Sequence, residues 1–194
     1  MTLVFFLEEP SAEEMLKGIL PKIIPDHIFP RFIVFEGKQD LEKQLERRIR
    51  LWKLPNSRFI ILRDQDAGDC RKIKQTLLEK CRCVQPSELF VRIACHELES
   101  FYIGDLAAVE KGLDISGLSK MQNKEKFRDP DRIPNPSQIL KSLTKDHYQK
   151  VLGSREIGKH LDLNNNRSHS FNVLLKAIER LIIDETGEKT NETP

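Results

Sequence analysis

Four short runs, apolar throughout but for Arg92 in the last, each followed by a helix-forming stretch, constrain this chain more than any other feature. The runs are residues 3–7, 32–35, 59–62 and 89–94. They do not alternate apolar with polar residues, as strands with one wet face do, so both of their faces must be covered. Between them the apolar residues recur at helical spacing. Met15, Leu16, Ile19, Leu20, Ile23 and Ile24 stripe a first helix, opened by the capping box Ser11-Ala12-Glu13-Glu14. Leu41, Leu45, Ile49 and Trp52 stripe a second, broken at Pro55-Asn56. Ile73, Leu77 and Leu78 face inward on a third, led in by Gly68-Asp69, with Asp69 as its cap. Strand and helix alternating with short links mean crossovers on both faces of one sheet. The expected fold is α/β, a Rossmann-like three-layer domain with a mostly parallel four-stranded sheet over residues 1–104.

From about Asp105 the pattern changes to helices and loops with no strand. Residues 105–186 are expected to form a helical extension packed on the core. Residues 128–136 read as a loop, with three prolines in nine positions. Phe171, Leu174, Leu175, Ile178, Leu181 and Ile182 make one amphipathic helix, which Ser168 or Ser170 would cap after the turn Asn164-Asn165-Asn166. Residues 187–194 read as a disordered tail.

Composition narrows the function classes. The net charge of +2 is nearly neutral, which does not mark a nucleic-acid binder the way a strongly basic domain would. Lys43, Arg47, Arg48, Arg50, Lys53 and Arg58 crowd one stretch, expected to be a solvated helix face. No apolar run is long enough to span a bilayer, and residues 2–7 follow no basic leader. The expectation is a cytoplasmic protein with no membrane contact. Cys70, Cys81, Cys83 and Cys95 contain no Cys-x-x-Cys pair, and Cys81 and Cys83 with His96 have the wrong spacing for a zinc finger or ribbon. They are expected to be reduced thiols.

The chemistry lies where the strands end. Glu8 and Glu9 follow the first strand, Asp64 and Asp66 the third, and His96, Glu97 and Glu99 the fourth. In open α/β sheets ligands bind at the carboxyl edge, in the crevice where the winding direction reverses. With the strand order two, one, three, four, that crevice separates strands one and three. Glu8 and the Asp64/Asp66 pair would flank it, and the two aspartates would point to one side if the strand persists. Two carboxylates about 4 Å apart repel by roughly 4 kcal/mol at an effective dielectric of about 20. A hard divalent cation, Mg²⁺ or Mn²⁺, is the natural counter-charge. Arg63, or helix capping, is the plainer use of such acids.

These residues resemble the toprim domain of topoisomerases, primases and overcoming-lysogenization-defect nucleases. Its pattern is an apolar strand ending in Glu-Gly and a later one ending in Asp-x-Asp. Here the counterparts are Leu3-Val4-Phe5-Phe6-Leu7-Glu8 and Phe59-Ile60-Ile61-Leu62-Arg63-Asp64-Gln65-Asp66, with Glu9 standing where the pattern has Gly. More narrowly, the chain resembles the bacterial toprim-like family known as domain of unknown function 4276. It does so in Glu9-Pro10-Ser11-Ala12-Glu13, Gly37-Lys38, Asp64-Gln65-Asp66-Ala67, Glu97-Leu98-Glu99-Ser100-Phe101 with Asp105, and residues 168–171.

The resemblance implies a toprim-type core, an Mg²⁺- or Mn²⁺-dependent phosphodiester cleavage, and Glu8, Asp64 and Asp66 as metal ligands. Glu97 or Glu99 would complete the shell or activate water, and Lys38 would reach a phosphate. Tyr102 and Tyr148, the only tyrosines, read as packing residues, so a water nucleophile and a nuclease fit better than a topoisomerase. The implied partners are nucleic acid, DNA ahead of RNA, and an ATPase in bacterial phage defence or repair. The rival reading is a catalytically altered binding module of such an ATPase system. A receiver or haloacid-type phosphatase fits less well, because each places its acids differently on strands one and three.

Overall fold

The computed structural model describes residues 1–186 of the chain. Four strands, β1 (Thr2–Leu7), β2 (Phe29–Val34), β3 (Ser57–Asp64) and β4 (Leu89–Ala94), form one sheet in the order β2-β1-β3-β4. Every neighbouring pair is parallel. The expected α/β fold is therefore present, with a sheet that is wholly rather than mostly parallel. β1 runs in register between its neighbours, Leu7 lying opposite Val34 of β2 and Leu62 of β3.

Alternation along the strands sorts the core into two layers. Val4, Phe6, Phe59 and Ile61 face α2 (Lys38–Arg50) and α3 (Cys70–Lys80), where Leu41, Leu45, Ile49 and Leu77 close over them. Leu3, Phe5, Leu7, Ile60 and Leu62 face the opposite way. There they meet α1 (Pro10–Ile19) and the C-terminal helices α4 (Glu99–Ile103), α5 (Leu106–Leu113), α6 (Pro136–Leu143), α7 (Lys150–Gly158) and α8 (His169–Thr186). Residues of the extension such as Val109, Phe127, Leu140, Tyr148, Ile157 and Phe171 belong to the same buried cluster as Leu3, Phe5 and Leu7. The extension thus forms one layer of the molecule. No described helix is long and apolar enough to cross a membrane.

Several local expectations shift. The first helix begins at Pro10, with Glu9 as the residue before it, so Ser11 lies inside the first turn and makes no capping box. A proline at the first helical position carries the helical φ already and lacks only an N–H that would go unpaired, so it starts the helix early. Ser11 Oγ instead donates to Glu9 Oε1. The α1 helix ends at Ile19, and Ile23 and Ile24 lie beyond it. β2 begins earlier than expected, at Phe29. Leu78 is exposed on α3, while Leu77 is fully buried.

Other local expectations hold. Asp69 caps α3, its Oδ1 accepting from the N–H groups of Arg71 and Lys72. Ser168 caps α8, its Oγ accepting from Phe171 N. Lys43, Arg47, Arg48 and Arg50 form the exposed helix face expected of them and Lys53 is exposed beyond the helix, but Arg58 lies on β3, half-buried and paired with Glu88 at 2.5 Å. Residues 187–194, read as a tail, lie outside the described residues.

The α7 helix packs more extensively on α1 than any other pair of helices does. Two glycines permit it. A Cβ at Gly18 would lie 2.4 Å from the Gly158 carbonyl carbon, and one at Gly158 would lie 2.8 Å from Met15 O. Arg155 Nε of α7 also donates to Glu14 Oε2 of α1. In an open helix Gly→Ala stabilises by up to about 1 kcal/mol. Here the sign should reverse: Gly18→Ala should destabilise the protein by about 1–3 kcal/mol through overpacking, read from urea denaturation midpoints.

Candidate functional site

Both faces of the sheet are covered, so the acids at its carboxyl edge are separated by which side of their strand they stand on. Leu62 and Asp64 share one face of β3, and Arg63 points to the other. Leu7 lies beside Leu62, so Glu8 falls beside Arg63 and Glu9 beside Asp64. The side chains follow this parity.

On the α2–α3 side, Arg63 donates from Nη1 to Glu42 Oε1 at 2.5 Å, and its Nε lies 3.8 Å from Glu8 Oε2. Arg63 therefore does not neutralise the aspartates. Lys38, the first residue of α2, pairs with Asp66 at 2.7 Å. A cavity of about 370 Å³ opens here, lined by Lys38, Glu42, Arg63, Asp66 and Lys72 among others. Asp66 reaches this side because it leaves the strand conformation. Its φ is +53°, and its N–H donates to His96 O at 2.7 Å. The left-handed turn breaks the alternation that would have kept it alongside Asp64.

On the other side Asp64 is buried, only 8% exposed. Burial pushes its carboxyl well above the usual range, and the charges of Glu9, Glu99 and Glu8 push it further; Lys150 opposes them. Glu99, on α4, is fully buried. Its Oε1 accepts from Tyr148 OH at 2.9 Å, while its Oε2 and the hydroxyl of the fully buried Tyr102 have no hydrogen-bond partner. Burial raises the Glu99 carboxyl as well, against Lys150 and the Tyr148 hydrogen bond. Lys150, the first residue of α7, pairs with Glu9 Oε2 at 2.5 Å. Burial acts to lower its ammonium, but the Glu9 hydrogen bond and the charges of Glu9, Glu99 and Asp64 outweigh this and hold it above the ordinary lysine value.

Glu8 joins the two sides. Its Oε2 accepts from the backbone N–H of Asp64 at 3.2 Å. Its carboxyl is raised by burial, lowered by that hydrogen bond and raised again by the Asp66 charge.

The structure thus brings Glu8 to Asp64 and to the neighbourhood of Asp66, and it gathers Glu9 and Glu99 around Asp64. Asp64 and Asp66 do not share a side. Glu97 is used elsewhere: its Oε2 accepts from Ser137 N at 2.7 Å, at the start of α6. A carboxylate is favoured there by the unpaired amides of the first turn. Asp105 caps α5 through Ala108 N and also accepts from Asp162 N. Lys150 was absent from the sequence reading. Nothing local marks it, because it enters from the extension only when α7 docks on α1. The tyrosines expected to be packing residues are buried, and Tyr148 brings its hydroxyl to Glu99. The cysteines are free, with burial pushing Cys81 up to about 12 and Cys95 up to about 11, well away from reactive thiolates.

The donor set is hard oxygen, suited to Mg²⁺ or Mn²⁺. The unpartnered Glu99 Oε2 and the crowding of charge on Asp64 are what a cation at this edge would relieve. Among the described residues no three His, Cys, Asp or Glu side chains gather closely enough to hold a metal ion as they stand. Mg²⁺ is commonly held by one or two carboxylates, with water and substrate phosphate completing its shell. Glu8 meets Asp64 through the backbone N–H of Asp64.

The chain is thus an α/β domain with an all-parallel sheet and buried acids at the β1–β3 carboxyl edge, the edge at which open α/β sheets in general bind ligands. The chain belongs to the family described as Domain of unknown function (DUF4276), whose model matches residues 7–179. No curated protein and no solved structure matches the chain.

The raised Asp64 carboxyl has a measurable consequence. Between its ordinary and its raised pKa, the folded state keeps a proton that the unfolded state has lost. Stability therefore falls as pH rises through that window. Asp64→Asn removes the loss. It should raise stability at neutral pH. It should also flatten the decline in melting temperature between mildly acidic and neutral pH. A variant no more stable than wild type at neutral pH would contradict this assignment.

Proposed function

We propose that this protein is an Mg²⁺- or Mn²⁺-dependent phosphodiesterase of toprim type, cleaving nucleic acid, DNA ahead of RNA. The supporting observation is the placement of Asp64, a buried carboxylate at the β1–β3 crevice with Glu8 against its backbone and Glu99 beside it. Buried carboxylates held at raised pKa beside a crevice are a costly arrangement that a bound cation stabilises.

In this reading Glu8 and Asp64 hold the cation. Asp66 reaches it from the α2 side on release from Lys38, and Lys38 then meets a phosphate. Glu99, fixed by Tyr148, holds a proton or orients water from within the core. A divalent cation here supplies positive charge to the phosphate oxygens and prepares a water nucleophile. The near-neutral surface suits local recognition of a phosphate more than long-range steering of a polyanion.

Two ion pairs favour a second reading, a catalytically altered module that docks in an ATPase-associated defence system. Lys38 neutralises Asp66, and Lys150 neutralises Glu9, which stands where the toprim pattern has Gly.

A cleavage assay with Mn²⁺ on single- and double-stranded DNA and RNA separates the two. The hydrolase reading expects cleavage that EDTA stops and that Asp64→Ala abolishes. Glu97→Ala, which removes only a helix cap, should leave cleavage in place and lower stability by about 1 kcal/mol. No cleavage of any of these substrates by the folded wild-type protein would leave the module reading standing.

A further inference from the structure

The near-neutral total hides an uneven distribution of charge. Residues 38–84, which carry α2, β3 and α3, hold thirteen lysines and arginines against seven aspartates and glutamates, while the whole chain holds 32 against 30. That segment therefore has a surplus of six positive charges, and the rest of the chain a deficit of four. Helices α2 and α3 touch over one face of the sheet, with their apolar stripes turned inward. The helical period then turns Lys43, Arg47 and Arg50 outward on α2. All three are exposed, as are Arg71, Lys72 and Lys74 on α3. Cations on the other layer are held differently. Every lysine and arginine of α1 and α7 is ion-paired: Lys17 with Glu13 and Glu14, Lys150 with Glu9, and Arg155 with Glu14. Among the described residues Lys43, Arg47, Arg71, Lys72 and Lys74 make no ion pair, and Arg50 has only its helix neighbour Glu46. Arg47 and Arg50 stand in the last turn of α2, where a cation suits the negative end of the helix dipole. Arg71 and Lys72 stand at the start of α3, its positive end, with no acid in that turn. Their neighbour Asp69 already gives its carboxylate to the amides there. An anion from outside the chain is the counter-charge these cations lack.

We propose that the outer face of α2 and α3 is a docking surface for the sugar-phosphate backbone of a nucleic-acid duplex, leading the polymer to the carboxyl edge. The inference rests on the proposed action on nucleic acid and deepens it, naming the surface and the duplex form. Both helices start at the carboxyl edge, because each follows a parallel strand. Lys38 and Lys72, near their starts, line the cavity that also holds Asp66. The 13 residues of α2 span about 20 Å at about 1.5 Å each, the length of about six duplex steps of about 3.4 Å. An anionic membrane fits this face less well. The apolar residues of both helices, Leu41, Leu45, Ile49 and Leu77, are buried in the core and cannot enter a bilayer. Single strands also fit less well, since they are held by stacking on aromatic rings and neither helix carries one. Trp52, just past α2, is half-buried, and its indole N–H donates to Ser57 Oγ at 2.9 Å. Contacts of cations with phosphates position a duplex without reading its sequence.

The test is fluorescence anisotropy of a labelled DNA duplex and of its separated strands, titrated with the full chain in EDTA so that cleavage plays no part. Wild type is compared with the double variant Arg47→Gln, Lys74→Gln, which takes one cation from each helix. The control is Lys111→Gln, Lys120→Gln, which takes two exposed cations from the extension. Melting curves confirm that each protein is folded. Wild type should bind the duplex more tightly than either strand. The Arg47, Lys74 double variant should bind it about tenfold more weakly at low salt, with the slope of log affinity against log salt reduced by about two. The control should bind as wild type does. A double variant that binds as wild type, an equal loss in the control, a preference for single strands, or no binding by wild type overturns the inference. Tighter binding to phosphatidylserine vesicles than to the duplex overturns it as well. Cleavage in Mn²⁺ is scored separately. Cutting by a protein that does not use this face leaves the hydrolase reading standing alone, and duplex binding through the face without cutting does the reverse.

Discussion

Covering both faces of the parallel sheet fixes most of what is distinctive in this molecule. A strand wet on one side can put polar residues there at no cost, and its ends need no special arrangement. A strand buried on both sides sends consecutive residues into different layers up to its last position. Leu62, Arg63 and Asp64 therefore enter three different environments within three positions: apolar core, the ion pairs facing α2, and the buried acid pocket facing α4 and α7. The carboxyl edge is thus a boundary between two sites of opposite electrostatic character. Glu8, whose carboxylate touches the backbone of Asp64 while its charge is felt by Arg63, is the hinge between them.

The C-terminal helices turn this edge into an enclosed place. Without α4 and α7 the end of β3 would face water and Asp64 would be an ordinary solvated acid. With them, Glu99, Tyr102, Tyr148 and Lys150 are gathered beside it, Tyr148 bonded to Glu99 and Lys150 to Glu9 just past β1. The extension is anchored well away from the acids. Asn166 donates to Phe101 O and accepts from Ser168 N, while Asp131 accepts from Ser168 Oγ and Ser170 N. These bonds tie the loops around α4 to the start of α8 and hold the extension in register with the sheet.

Much of this was legible in the residues. The apolar runs could only be strands of a sheet covered on both sides, and the helical stripes between them fixed the parallel order. The acids at strand ends pointed to the carboxyl edge before any contact was known. What escaped the sequence had particular causes. Asp66 departs from Asp64 through a left-handed backbone turn, which no residue type there announces. Glu97 became a helix cap because α6, forty positions later, presents its amides to it. Pro10 overrode a capping box that was well formed as a pattern. Lys150 sits in no motif, and its role depends wholly on which helix α7 docks against.

That docking has a bearing on how the protein tolerates change. Helices α1 and α7 touch backbone to backbone at Gly18 and Gly158, with no side chains between them to repack around a new fit. A helix cushioned by leucines slides by fractions of a turn when a neighbour mutates; this one is seated on bare peptide groups. Inserting or deleting one residue between Lys150 and Gly158 would rotate the lysine by about 100° around its axis, since an α-helix has 3.6 residues per turn. The spacing of those nine positions, more than their chemical identity, should be what drift among related chains leaves alone.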